Sequence, residues 1–90
     1  VGWVAEAFIL INTEIGGESE VLKALMNIEG VEEAYVVYGV YDIVAKITAP
    51  DIETLKKIVS TNIRKMPKVK STLTMMVVEG RKINATEPAR

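Results

Sequence analysis

The side chains able to do chemistry in this chain are few, and the absences restrict it as much as what is present. Its 90 residues include no histidine and no cysteine. That removes nucleophile–imidazole pairs, His-ligated metals, thiolate metal sites and disulfides. The consecutive carboxylates Glu32 and Glu33 fall in a β-rich stretch, where neighbouring side chains point to opposite faces. They are therefore not expected to serve one bond as a general acid–base pair. Gly16-Gly17 has neither the lysine nor the spacing of a phosphate-binding loop and reads as a turn.

Two polar constellations remain. Tyr38-Gly39-Val40-Tyr41-Asp42 places a carboxylate just beyond a tight turn, among apolar β-branched neighbours. Asp42 can accept turn amides and so fix a hairpin. Alternatively, turn N–H groups and a carboxylate together suit the two charged ends of a free amino acid, its carboxylate on the amides and its ammonium on Asp42. Ser71, Thr72 and Thr74 interrupt an apolar run, and cross-strand hydroxyls in a sheet account for them without a ligand. Tyr35, Tyr38 and Tyr41 crowd the same hairpin. Surrounded by Val and Ile rather than by basic residues, they read as packing or interface residues and not as a base-stacking platform.

Several elements must position these groups. Val4 to Asn12 is apolar on both faces, with Ala5, Ala7, Ile9 and Ile11 on one side and Phe8 and Leu10 on the other, which predicts a central strand. Gly16-Gly17 can cap a helix over Glu18 to Asn27, striped by Val21, Leu22, Leu25 and Met26 and opened by acidic residues that suit its dipole. Gly30 supplies a left-handed exit. Val31 to Thr48 is β-rich and broken only at Gly39, which predicts a hairpin through a two-residue type II′ turn at Gly39-Val40. Asp51 is the expected N-cap of a second helix running to about Lys65, striped by Ile52, Leu55, Ile58, Val59, Ile63 and Met66. Pro67 ends it, and Val69 to Val78 forms the last strand.

The order βαββαβ carries an internal echo. Ile28-Glu29-Gly30-Val31 and Met66-Pro67-Lys68-Val69 each end a helix and launch a strand. Two such units build an α+β, ferredoxin-like sandwich, a four-stranded antiparallel sheet with both helices on one face. The other face keeps apolar side chains that need covering, and a second sheet about 10 Å away would serve.

Composition agrees with self-association. Hydrophobic residues make up 49% of the chain, more than a lone small domain can readily cover. The net charge of −1 and the scattered lysines, densest at Lys65, Lys68 and Lys70, argue against direct nucleic-acid binding. No apolar span suits a membrane and no targeting segment is apparent, so a soluble, cytoplasmic protein is expected. A chain without glutamine and rich in Val, Ile, Glu and Lys leans toward a thermophilic source.

The run Gly30-Val31, then Gly39-x-Tyr41-Asp42 followed by Ile43-Val44-Ala45-Lys46-Ile47, then Pro67-x-Val69 and Ser71-Thr72-x-Thr74, closely resembles the effector-binding domain of Lrp/AsnC transcriptional regulators. The resemblance covers residues 4 to 80. It implies a sheet-to-sheet dimer, a dimeric α/β barrel, assembling further into a ring of four dimers with free amino acids bound between dimers. It also implies a ligand-binding set: Gly39 and Tyr41 through main chain, Val40 within the same loop, Asp42 through its side chain, and Thr72, Thr74, Met75 and Met76 on the last strand. No catalytic residue, metal or cofactor is implied.

Residues 1–80 are thus expected to form the effector-binding domain and 81–90 a polar tail. Usual family members carry an N-terminal helix-turn-helix, whereas here the chain begins directly at the sheet. The function expected is an amino-acid-sensing, oligomerising regulatory module, not an enzyme, acting on transcription indirectly, for example through full-length Lrp/AsnC paralogues. The alternatives are a small ferredoxin-like dimeric enzyme and a pure assembly partner with no ligand.

Overall fold

A computed structural model of the chain describes residues 4–80. Its organising element is β1 (Ala5–Thr13), whose two apolar faces predict a central strand. β1 pairs antiparallel with β3 (Ile43–Ala49) on one side and β4 (Val69–Met76) on the other, and β2 (Val31–Val36) completes the order β2-β3-β1-β4. Between the strands lie α1 (Glu18–Leu25), α2 (Ile52–Ile58) and a π-helical turn (Val59–Ile63). The four-stranded antiparallel sheet with its helices on one face is the expected α+β sandwich. No helix among the described residues is long and apolar enough to cross a membrane.

Strand alternation decides what the helices cover. Ala7, Ile9 and Ile11 of β1 and Ile43, Ala45 and Ile47 of β3 are fully buried on the helix side, against Val21 and Leu25 of α1, Leu55 of α2 and Val59 and Ile63 of the π turn. Burying each of the larger side chains stabilises the fold by roughly 1.5–3 kcal/mol. The opposite face presents Phe8 and Leu10 of β1, Val44 of β3, and Leu73 and Met75 of β4 in adjoining cross-strand rows. No described element covers it, and Phe8, Leu73 and Met75 stay exposed.

The internal echo is a shared hydrogen-bonding scheme. Ile28 N–H donates to Leu25 O and Val31 N–H to Ile28 O; Met66 N–H donates to Ile63 O and Val69 N–H to Met66 O in the same way. Gly30 has φ +103°, the left-handed exit anticipated for it. α1 ends at Leu25, two residues before the expected end, leaving Met26 exposed.

The second helix departs from a single α-helix. Leu55, Val59 and Ile63, spaced by four, are all buried. Four residues overshoot one α-helical turn by about 40°, so three such positions would drift by about 80° off the sheet. The wide turn, in which Arg64 N–H donates to Val59 O at 2.9 Å, takes up that drift. Ile52, placed in the buried stripe by periodicity, is instead exposed at the helix start.

Asp51 is the N-cap, its carboxylate accepting Thr54 N–H at 2.7 Å. That hydrogen bond holds its pKa below the ordinary 3.8. A depressed folded-state pKa gives stability that is present above the unfolded value and lost as pH falls through the folded one. The cap of α2 is therefore expected to weaken below about pH 4. Asp51→Asn, which caps without titrating, should flatten that part of the profile when urea midpoints are compared on acidification. Identical acid profiles for the two proteins would show that the cap does not contribute.

Two local expectations are corrected. Glu32 and Glu33 do not point to opposite faces. A β-bulge lies between Val31, opposite Ile47, and Glu33, opposite Lys46. The extra residue turns both carboxylates to the open face. There Glu32 accepts from Thr48 Oγ1 at 3.0 Å and lies 3.7 Å from Lys46 Nζ. Glu33 accepts from the Tyr35 hydroxyl at 2.6 Å, a bond that, with the Glu33 charge, raises the Tyr35 pKa.

The hairpin turn is also not type II′. β2 stops at Val36 and β3 starts at Ile43, so the connection is 37–42, and Gly39 is not among the positive-φ glycines. The physical reason is a competing partner. Asp42 N–H donates to Ile11 O on β1 at 2.9 Å, while Val37 N–H donates to Asp42 O at 2.8 Å, closing a six-residue loop. The polar segment 81–90 lies outside the described residues.

Candidate functional site

The 37–42 loop stands clear of the chain that carries it. Tyr38 is 106% and Val40 87% exposed, and nothing lies within 4 Å of where a Cβ on Gly39 would sit. Gly39 and Val40 are thus free to meet another molecule, whereas Tyr41 is half-buried. Asp42 is tied down: its Oδ2 accepts Thr13 N–H at 2.9 Å and, more weakly, Thr13 Oγ1 at 3.4 Å. Asp42 therefore anchors the loop to β1, not to the amides of its own turn. Its Oδ1 accepts no hydrogen bond from any described residue.

A prediction separates anchor from charge. Asp42→Ala leaves the Thr13 N–H without its acceptor and should cost about 1–3 kcal/mol. Asp42→Asn keeps an oxygen acceptor and should cost well under half as much in chemical denaturation. Equal losses in the two variants would mean that the charge, not the acceptor, holds the loop.

On β4 the register sorts the expected site residues by face. Thr72 lies opposite Ile11 and Thr74 opposite Ile9, whose side chains are buried on the helix side, and Met76 packs against the core. Met75 lies opposite Phe8 and points to the open face. Thr72, Thr74 and Met76 thus share one surface that Met75 does not.

Thr74 and Met76 of that surface form one wall of a groove of about 350 Å³ between β4 and the end of α2 with its π turn, and Thr72 lines the hollow that adjoins it. Leu55, Val59 and Met76 give an apolar floor, and Lys56, Ser60, Arg64 and Thr74 supply polar groups. Arg64 Nε donates to Thr72 Oγ1 at 3.4 Å. Thr74 Oγ1 is buried and has no hydrogen-bond partner, an arrangement that costs about 1–3 kcal/mol when left unmet. π-helical turns recur at functional sites, and here Val59, Ser60 and Arg64 reach the groove from that turn.

The loop and the groove do not form one pocket within the chain. Ile43, next to Asp42, pairs with Ile11, and Ile11 pairs with Thr72 on its other side. β1 therefore separates the two sets by two strand spacings, about 9–10 Å. Ser60 and Arg64 were missed in the sequence. Their i, i+4 spacing beside the buried Val59–Ile63 stripe is a usable signal, but it shows only which helix flank they occupy.

The model of the Lrp/AsnC ligand binding domain matches residues 6–86. This chain belongs to the Lrp/AsnC family. It is 33% identical over all its 90 residues to the HTH-type transcriptional regulator FL11 of Pyrococcus abyssi, and it spans 59% of that protein's length. Among solved structures it superposes on FFRP-DM1 with a TM-score of 0.80 at 40% identity, over 82% of this chain and 99% of that one. A transcriptional regulator of Neisseria meningitidis, solved as a complex with L-Met, shares the fold at a TM-score of 0.81 and 14% identity, over 93% of this chain and 56% of that one. The Lrp/AsnC match falls on the segment holding both the loop and the groove. The expected resemblance is thereby met at the level of family and fold.

Proposed function

We propose that this chain is an amino-acid-sensing, self-associating regulatory module that reaches transcription indirectly. One observation carries the reading: the Lrp/AsnC ligand-binding-domain match covers residues 6–86, which hold a groove with an unpartnered buried hydroxyl. The Neisseria relative's complex with L-Met supports an amino acid as the ligand type. The ligand's main-chain groups meet the free backbone of Gly39, Val40 and Tyr41 and the unused oxygen of Asp42; Thr72, Thr74 and Met76 receive the rest. Since β1 separates these sets, one ligand touching both does so across two chains, which couples binding to assembly. Met75, on the opposite face, acts in self-association and not in the groove.

The open face of the sheet supports a dimer formed sheet to sheet, with larger rings built through the loops. Both described helices are spent on covering the sheet. Action on DNA by residues 4–80 therefore passes through whatever carries a DNA-binding part, such as full-length Lrp/AsnC paralogues, and the expected setting is the cytoplasm. A light-scattering screen of the purified chain against the twenty amino acids is expected to show at least one shift in oligomer size. A flat response to all twenty overturns sensing. It would favour a pure assembly partner, a reading that the internal bond of Asp42 to Thr13 also suits.

A further inference from the structure

We propose that the groove between β4 and the π-helical turn selects an acidic amino acid, whose side-chain carboxylate is held by Arg64 and the hydroxyls of Thr72 and Thr74. This rests on the amino-acid-sensing reading and names the ligand class of that same site. Arg64 lines both this groove and the shallower hollow that continues along β4 past Lys70 and Thr72. Lys56 and Lys70 flank it, and no carboxylate lines either stretch. Glu53 lines a separate hollow on the outer flank of α2 with Lys56. Arg64 forms no ion pair with any described residue. Its one side-chain hydrogen bond among the described residues, 3.4 Å to Thr72 Oγ1, is long and leaves the rest of the guanidinium fork to spare.

The groups left unmet decide the class. An apolar side chain would satisfy Leu55, Val59 and Met76 but would strip water from Arg64 without replacing it and would leave the buried Thr74 hydroxyl unmet. A basic side chain would face Arg64 with like charge. A carboxylate on a short methylene stem meets both demands, its stem on the apolar floor and its oxygens taking the guanidinium N–H groups and the Thr74 O–H. The groove's size, at the lower end for small-molecule sites, suits a single amino acid.

The test is isothermal titration of the full 90-residue chain with L-glutamate, L-aspartate, L-leucine, L-methionine, L-lysine and inorganic phosphate. An acidic amino acid is expected to bind at least about tenfold more tightly than the apolar or basic ones. Arg64→Gln should weaken it about tenfold or more, and Arg64→Lys should weaken it less. Thr74→Val should weaken binding while leaving the melting temperature unchanged or higher, because it replaces an unpartnered hydroxyl by a methyl of the same shape. Leucine, methionine or lysine binding as tightly as glutamate overturns the acidic assignment and leaves sensing intact. Acidic binding indifferent to both Arg64→Gln and Thr74→Val overturns the placement. Phosphate binding with no amino acid bound, or no binding at all, overturns the assignment together with the sensing reading.

Discussion

Gly30→Ala is expected to lower the melting temperature by about 10–25 °C at fixed protein concentration. Two independent costs meet at this position. Its φ of +103° is one that L side chains rarely adopt, which costs a residue with a Cβ about 1–2 kcal/mol. The added carbon would also sit 2.8 Å from Thr48 O and 3.2 Å from Ile58 Cδ1. Ile58 can shift at its tip, but the Thr48 backbone is pinned, since its N–H donates to Gly30 O at 2.8 Å. Overpacking of that kind adds about 1–3 kcal/mol, a large share of the 5–15 kcal/mol typical of a whole domain. Gly16→Ala is the control: φ is +80°, yet nothing lies within 4 Å, so only the backbone cost remains. Equal losses in the two variants would show that the Thr48 contact relaxes freely. The effect also reaches the groove, because Ile58 is the last residue of α2 before the turn that shapes it.

Gly30 illustrates which features can be read from the chain alone. A glycine demanded by a left-handed helix exit, an aspartate before a helix and a strand apolar on both faces each follow from local backbone preference or side-chain periodicity. All three appear where expected, as do the order βαββαβ and the paired exits at Ile28–Val31 and Met66–Val69. What was not legible depends on partners distant in sequence. The loop at 37–42 is long because Asp42 binds Ile11 and Thr13. Glu32 and Glu33 share a face because the pairing with β3 slips by one residue. The π turn keeps three positions spaced by four, Leu55, Val59 and Ile63, all on the sheet.

The candidate site divides in the same way. The residue types were present in the sequence, and strand alternation already sets Met75 apart from Thr72, Thr74 and Met76. Grouping all four by family likeness mixed two faces. The contribution of Arg64 depends on where the end of the π turn lies against β4, which periodicity does not encode. The burial of Thr74 Oγ1 likewise becomes visible only once Leu55 and Val59 are placed over it.

Leu10→Asp is expected to raise the dissociation constant of the proposed sheet-to-sheet dimer at least about 100-fold, leaving a monomer in analytical ultracentrifugation. Leu10 occupies the centre of the open face, flanked by Val44 on β3 and Leu73 on β4, with Phe8 and Met75 in the adjoining row. A carboxylate enclosed there by a second sheet would lose its water with no partner in reach. The effective penalty for one unpaired ion is several kcal/mol, and about 2.8 kcal/mol suffices for the 100-fold change. Met75→Asp, on an edge strand and 44% exposed, carries the same charge while disturbing less of the chain's own packing. It keeps the test sound if Leu10→Asp also loosens the fold. Thr48→Lys, beside Glu32 and Lys46 at the polar margin, should change association little, since rim charges act mainly on rates. A Met75→Asp protein that stays dimeric would show that the open face is covered by something other than a second sheet. If it becomes a folded monomer, the sensing proposal makes a linked demand. A site shared between chains should then lose its affinity for amino acids, although Met75 touches neither the loop nor the groove.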